Sequence, residues 1–205
     1  EPWEVIKIKF ITDYNLHTLS EQTSDNLEFN YIDIGSVEYG KGIISSQKYE
    51  FSSAPSRARR IVNNNDIILS TVRTYLRAIT IIKNIKELTI VSTGFITLTP
   101  NSNNINHNYL YYSLLSEYFV SAVEANSFGI AYPSITNYDV LKLKILLPPL
   151  SEQQAVANYL DDKCAQIDAV IADKQAQLET LAAYKKSFIY EYVTGKKSVP
   201  GFEEA

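Results

Sequence analysis

Apolar residues follow two different rhythms along this chain, and the rhythm changes at Pro148-Pro149. Before the prolines, short runs rich in β-branched residues alternate with breaks rich in Asn, Ser and Gly. Tyr31–Ile34, Asp66–Thr71, Ala78–Ile82 and Phe95–Leu98 read as strands, and Asn63–Asn65 and Asn101–Asn108 as turns. A helix is expected from about Asn108 to Ala125, where Leu110, Leu114, Tyr118 and Ala122 recur every fourth residue on one face. A loop at Ser127–Ile130 follows, then a short helical turn at Ile135–Val140 and a strand at Leu141–Leu147. The pattern predicts an α+β domain over residues 1–147, a twisted mixed β-sheet with short helices.

After the prolines the period becomes helical and stays so. Ser151 with Gln154 three residues on has the form of a capping box, and Glu152 suits the positive end of a helix. Neither proline nor glycine interrupts the run from Glu152 until Gly195, which fits a C-terminal stop. A helix of that length spans about 63 Å, too long to bury on a small domain alone. Two heptad seams run along it: Leu160, Ile167, Lys174, Leu181 and Phe188, and four residues on, Cys164, Ile171, Leu178, Lys185 and Tyr192. Apolar residues dominate both, as in a coiled-coil-type helix that pairs with another helix. The two lysines interrupt a dry seam and can set register. The expected division is therefore a domain at 1–147, a long helix at 148–195 and a tail at 196–205.

Composition narrows the class. With 45% hydrophobic and 20% charged residues the chain is that of an ordinary globular protein. No apolar run approaches the roughly 20 residues that span a bilayer, so no membrane role is expected. The N-terminal residues do not read as a secretory signal. The lack of any methionine suggests numbering that begins inside a longer or processed product. One cysteine, Cys164, excludes an internal disulfide framework and fits a reducing cytoplasm. The net charge of −4 argues against a sequence-blind nucleic-acid binder. All the arginines, however, fall in one stretch: Arg57, Arg59, Arg60, Arg73 and Arg77. The guanidinium fork matches phosphate and guanine edges.

Several phrases, in order, resemble the specificity subunit of type I restriction-modification systems. They are Leu147-Pro148-Pro149-Leu150-Ser151-Glu152-Gln153-Gln154 at the helix start, Tyr184-Lys185-Lys186-Ser187, and Val193-Thr194-Gly195-Lys196 at its end. Upstream stand Tyr31-Ile32-Asp33-Ile34-Gly35, Ala54 through Arg59, Asp66 through Arg73, Ser92-Thr93-Gly94-Phe95, and Gly129 through Pro133. The resemblance implies a target-recognition domain that binds double-stranded DNA, followed by a conserved spacer helix. It implies no catalytic centre of its own, with methyltransferase (modification) subunits and a motor-nuclease subunit as partners. Such subunits carry two recognition domains and two antiparallel helices, and this chain has one of each. It is thus either a half-subunit that pairs with a second copy of itself through antiparallel helices, or one half of a longer protein awaiting the missing half.

Candidate DNA contacts follow from the residues. Ser56-Arg57-Ala58-Arg59-Arg60 sets small residues between arginines, which permits close backbone approach to phosphate. Arg73, Tyr75 and Arg77 alternate and would share one face of an extended strand. Lys41, between Gly40 and Gly42, can reach a phosphate, and Ser127, Gly129 and Tyr132 offer a small-residue loop with an aromatic. Which arginine reads a base rather than a phosphate stays open. His17 and His107 lack metal-ligand spacing, and neither a metal nor a cofactor is expected. Leu147-Pro148-Pro149-Leu150 lacks the polar and aromatic ends of an amino-methyltransferase motif, and no phosphate-binding glycine loop occurs. Two other readings remain: the recognition end of a single-chain restriction-methylation enzyme, and a protein–protein adaptor working through the helix.

Overall fold

The computed structural model describes residues 3–201. Residues 1–2 and 202–205, the end of the expected tail, lie outside the described residues. The chain divides into two compact units, 1–157 and 158–205. In the first, the elements are β1 (Glu4–Lys7), β2 (Thr12–Tyr14), β3 (Glu28–Ile32), β4 (Val37–Glu38), β5 (Gly42–Ile43), β6 (Gln47–Glu50), β7 (Ala58–Val62), β8 (Ile67–Ser70), β9 (Ile79–Ile81), β10 (Thr89–Ser92), β11 (Phe95–Pro100), α1 (His107–Leu115), α2 (Glu117–Ala125), α3 (Asn137–Lys142) and β12 (Lys144–Leu147). Helix α4 (Leu150–Val193) begins in the first unit and makes up most of the second. The α+β class expected from the sequence is the class observed.

Two four-stranded sheets form the body of the first unit. One, in the order β6-β3-β10-β7, is mixed, because β10 runs parallel to β3. The other, β2-β11-β8-β9, is wholly antiparallel. The two-stranded pair β1-β12 and the hairpin β4-β5 complete the β structure. Strand β8 shows why the sheets stack: Ile67 and Leu69 join a core shared with α1, α2, α3 and Ile145, while Ile68, between them, packs with Ile32, Val62, Val91 and Phe95. Alternate side chains leave opposite faces of a strand, so β8 is buried on both sides, under helices on one and under the second sheet on the other. The far face of that second sheet closes over Phe29, Tyr31, Ala58 and Ile90.

The structure corrects several local expectations. The helix expected from Asn108 to Ala125 is two helices, broken at Ser116. Its backbone is extended (ψ 143°), and its side chain accepts from the Phe119 N–H as the N-cap of α2. The break resets the helical phase, so Phe119, Val120 and Val123 face the core, while Tyr118, expected on one face with Leu110 and Leu114, is exposed. The first half of the expected Leu141–Leu147 strand is the last turn of α3, which Thr136 caps.

The capping box at Ser151 and Gln154 is absent. The Pro149 carbonyl accepts from the Glu152 and Gln153 N–H groups (both 2.9 Å), so the helix opens at Leu150 and Ser151 falls inside its first turn. The motif's side chains bond elsewhere. Glu152 Oε1 accepts from the Trp3 indole (3.1 Å). Buried Gln153 accepts from the Asn106 N–H (2.8 Å) and donates to the carbonyls of Pro148 (2.8 Å) and Asn104 (3.4 Å). Gln154 Oε1 accepts from Asn106 Nδ2 (2.8 Å). Gln153 therefore fastens the helix start to the segment preceding α1. Replacing it with alanine strands the part-buried Asn106 N–H and the buried Pro148 carbonyl, an expected loss of about 1–3 kcal/mol. Exposed Gln154→Ala should cost under about 0.5 kcal/mol. Urea denaturation of the two variants checks the contrast.

Candidate nucleic-acid interface

The arginines divide into those that hold the fold and those that face solvent. Arg60, on β7, is partly buried and Nη1 donates to Asn15 Oδ1. The same oxygen accepts from the N–H and hydroxyl of Thr97 on β11 (3.0 and 3.2 Å), so Arg60 ties one sheet to the other. Burial away from water pushes its pKa down. Arg59 lies over the Phe51 ring, 4.7 Å from its centroid, with Nη1 donating to the Ala58 carbonyl (3.1 Å). Arg57 and its neighbour Ser56 are exposed.

The stretch from Arg73 to Arg77 is not an extended strand. Arg73 (φ 52°, ψ 51°) and Arg77 (φ 49°, ψ 35°) are both left-handed and bracket a 3-10 turn at Thr74–Leu76. The turn forms because the chain must reverse tightly between β8 and β9: the Leu76 N–H donates to the Arg73 carbonyl (2.9 Å) and the Arg77 N–H to that of Thr74 (3.0 Å). Thr74 points inward, and Arg73, Tyr75 and Leu76 are exposed. The Arg77 guanidinium grips two carboxylates of α2. Nε and Nη2 donate to Glu124 (2.8 and 3.3 Å), and Nη1 and Nη2 to Glu117 (2.9 and 3.1 Å). These bonds, to Glu124 first and then Glu117, raise its pKa further.

Hydrogen bonds gather distant segments onto one edge. The Thr93 N–H donates to the Arg57 carbonyl (2.9 Å) and the Thr71 N–H to that of Gly94 (2.8 Å). A Cβ on Gly94 would lie 2.7 Å from Ile34 Cδ1 and 3.1 Å from Val72 Cγ2, so a larger residue there would have to displace these side-chain tips. The 127–134 loop joins the same edge. Phe128 and Ser134 exchange backbone bonds (2.8 and 2.9 Å), the Ile135 N–H donates to Thr71 (2.9 Å), and the Thr74 N–H to Pro133 (3.3 Å). Gly129 (φ 104°) makes the bend, where a Cβ would stand 3.2 Å from the Tyr132 carbonyl. Ser127 finishes α2 instead, its hydroxyl donating to the Val123 carbonyl (2.8 Å). Tyr132 is exposed and carries Arg73 over its ring, 5.4 Å from the centroid. Arg57, Arg73, Tyr75 and Tyr132 are thus brought to one edge. Phe128 and fully exposed Ile130 accompany them and were not singled out from the sequence. Their signal was an apolar pair flanking a loop glycine.

Lys41 lies apart from this gathering, in the β4-β5 turn, and pairs with Glu38 (2.6 Å). Among the described residues, no carboxylate pairs with Arg57 or Arg73, no group of metal-ligating side chains occurs, and no helix is long and apolar enough to cross a membrane. In the second unit the heptad residues of α4 lie along an open face. Ile167, Ile171, Leu178 and Leu181 are 57–62% exposed, and the Phe188 and Tyr192 rings pack at a tilt of 44° with centroids 4.6 Å apart. Leu160 and Cys164 are half-buried, and Lys174 and Lys185 are exposed.

The family model for the type I restriction modification DNA specificity domain matches residues 1–180. The chain belongs to this family. Among relatives of this specificity-family chain, the type I restriction enzyme MjaVIII specificity subunit of Methanocaldococcus jannaschii is 29% identical over 203 residues, covering 96% of this chain and 46% of that protein. The HindI specificity subunit of Haemophilus influenzae is 27% identical over 164 residues, covering 74% and 35%. Two solved structures share the fold. The HsdS subunit from Thermoanaerobacter tengcongensis has a TM-score of 0.73 at 23% identity, over 98% of this chain and 51% of that one. A chain from a study of complex assembly and conformational transition in the type I R-M system has a TM-score of 0.76 at 24% identity, over 99% and 51%. The chain therefore spans about half the length of such structures, and half or less of these curated relatives.

The left-handed backbone at Arg73 makes a stability prediction. A Cβ there costs about 1–2 kcal/mol, while glycine adds about 0.5–1 kcal/mol of unfolded-chain entropy. Arg73→Gly should therefore leave stability unchanged or raise it by up to about 1 kcal/mol, measured by chemical denaturation. Arg73→Val, β-branched at the same torsion, should lower it.

Proposed function

We propose that this chain is the DNA-reading component of a cytoplasmic type I restriction-modification system, binding one half of a bipartite duplex site. Its main support is the pair Arg57 and Arg73, exposed guanidiniums on one edge with Tyr75 and Tyr132 and without carboxylate partners among the described residues. Phosphate contacts set the register of a protein on DNA, and base-edge contacts set its sequence. Arg57, beside Ser56, suits the first task. Arg73, stacked on Tyr132 and set by a strained backbone, suits the second, since strain of this kind concentrates at functional sites. Arg60 and Arg77 serve the framework, Arg59 is half-engaged on Phe51, and Lys41 is a peripheral contact. In functional terms residues 1–147 are the recognition domain, 148–195 the spacer helix and 196–205 a tail. The chain has no chemistry of its own and acts by directing methyltransferase and motor-nuclease subunits to the site.

The helix supplies the second half of the reading. Its exposed seam from Leu160 to Tyr192 fits a second helix of the same kind, from another copy or from the missing half. Charge favours an antiparallel pair. Asp161, Asp162, Asp168 and Asp173 crowd residues 158–173 against Lys163 alone, whereas Lys174, Lys185, Lys186, Lys196 and Lys197 outnumber Glu179 and Glu191 over residues 174–197. Antiparallel pairing sets each acidic part beside a basic one.

Two experiments test this. First, duplexes enriched from a random pool by the full chain should bind it more tightly than scrambled duplexes, with an affinity that falls with salt. Arg57→Gln should flatten the log–log salt slope by about one for each phosphate that the side chain neutralises. Failure to enrich any duplex, or an unaltered slope, would refute this assignment of the face. Second, the chain should have a mass near twice 23.2 kDa by light scattering, and Ile171→Asp with Leu178→Asp should yield a monomer. A doubled mass that survives both substitutions counts against the seam.

A further inference from the structure

Arg77 stands next to the proposed reading turn, yet four of its five guanidinium N–H donors are engaged elsewhere. Four N–H···O bonds of 2.8–3.3 Å run to Glu117 and Glu124, and the side chain is 27% exposed. The two glutamates are seven residues apart on α2, two helical turns along one face, and Ser121 Oγ between them donates to Glu117 Oε1 (3.3 Å). The Tyr39 ring lies beneath the guanidinium at 5.7 Å, with its hydroxyl donating to the Leu115 carbonyl at the end of α1 (2.7 Å). One cation against two carboxylates leaves this cluster net negative, so it repels a phosphate instead of inviting one. A left-handed arginine also persists only where its surroundings over-determine it. At Arg77 the surroundings are this double clamp. At Arg73, four residues earlier, they are the Thr74–Pro133 bond and the stack on Tyr132.

We propose that Arg77 is a positioning residue that never touches DNA: its clamp on Glu117 and Glu124 anchors the Thr74–Leu76 turn to α2 and thereby fixes the direction in which Arg73 and Tyr75 meet the base edges. The proposal rests on the DNA-reading assignment and deepens it. It separates two kinds of arginine in one short segment. Removing a phosphate contact lowers affinity for every sequence and reduces the salt slope, whereas removing a positioning group lowers the preference for the right sequence and leaves the slope alone. Lysine cannot replace Arg77, because a point charge cannot hold two carboxylates bidentately.

The test uses the full chain, the duplex it enriches from a random pool, and a scrambled duplex of the same length, with affinities measured by fluorescence anisotropy across a salt series. In Glu117→Gln/Glu124→Gln, which keeps Arg77 itself, the enriched-to-scrambled affinity ratio should fall about tenfold. The salt slope should stay at the wild-type value and circular-dichroism melting should remain cooperative. Arg77→Lys should do the same. An unchanged ratio in the glutamine pair overturns the proposal, and so does a steeper slope in it, as a freed Arg77 reaches phosphate, or an equal loss of affinity for both duplexes in Arg77→Lys, the mark of a weakened phosphate contact. A wild-type chain that does not distinguish the two duplexes would defeat the DNA-reading assignment itself, before either variant is measured.

Discussion

Ile67, Ile68 and Leu69 follow one another in β8, and each is fully buried although successive side chains leave opposite faces of a strand. That requires cover on both sides of the sheet: α1, α2 and α3 on one, and the β6-β3-β10-β7 sheet on the other. The candidate interface follows from this constraint. A strand sandwiched in this way is rigid along its length, and what emerges from its end is placed with little freedom. What emerges is Thr71 through Arg77. The same layers bring Thr93-Gly94 and the 127–134 loop against it, because β11 pairs beside β8, β10 lies in the sheet that covers one face, and Ile135, after the loop, joins the core on the other. A reading surface made of loops gains its accuracy from the elements that hold those loops.

The arginines show how an acidic chain can present a cationic edge. Arg60 is committed to joining two sheets through Asn15 and Thr97, Arg77 to bridging Glu117 and Glu124, and Arg59 lies over the Phe51 ring. That leaves Arg57 and Arg73, which have no acid partner among the described residues. Under the proposed DNA-reading role, a net charge of −4 disfavours sequence-blind binding, and the few free cations act against a repulsive background. Affinity then depends on matched geometry more than on charge alone. This fits a family whose members are named for specificity.

The sequence carried the architecture further than it carried the site. β-Branched runs located β8, β9 and β11, and the absence of proline and glycine located α4, because burial and helix continuity are written into nearest neighbours. Ser116 was invisible as a break, since a serine inside a helix and a serine at an N-cap look alike until the chain is folded. The Arg73–Arg77 turn was missed for a sharper reason. Alternating polar and aromatic residues without glycine read as a strand, and the partners that the left-handed turn meets, Pro133, Glu117 and Glu124, all lie forty or more residues away. The Leu147–Gln154 phrase marked the start of the helix, but Gln154, expected in a cap, accepts from Asn106 instead, and its neighbour Gln153 is a buried fastener. That role depends on Asn104 and Asn106, which no local pattern connects to it.

Backbone amide hydrogen exchange of the full chain, with and without the duplex it enriches from a random pool, tests the central claim most directly. The account predicts DNA-dependent protection confined in the first unit to residues 56–58, 71–77, 93–94 and 127–134, with the amides of β3 and β6 unchanged. Protection on the β6-β3 edge, with the 71–77 turn and the 127–134 loop exchanging as freely as before, would contradict it.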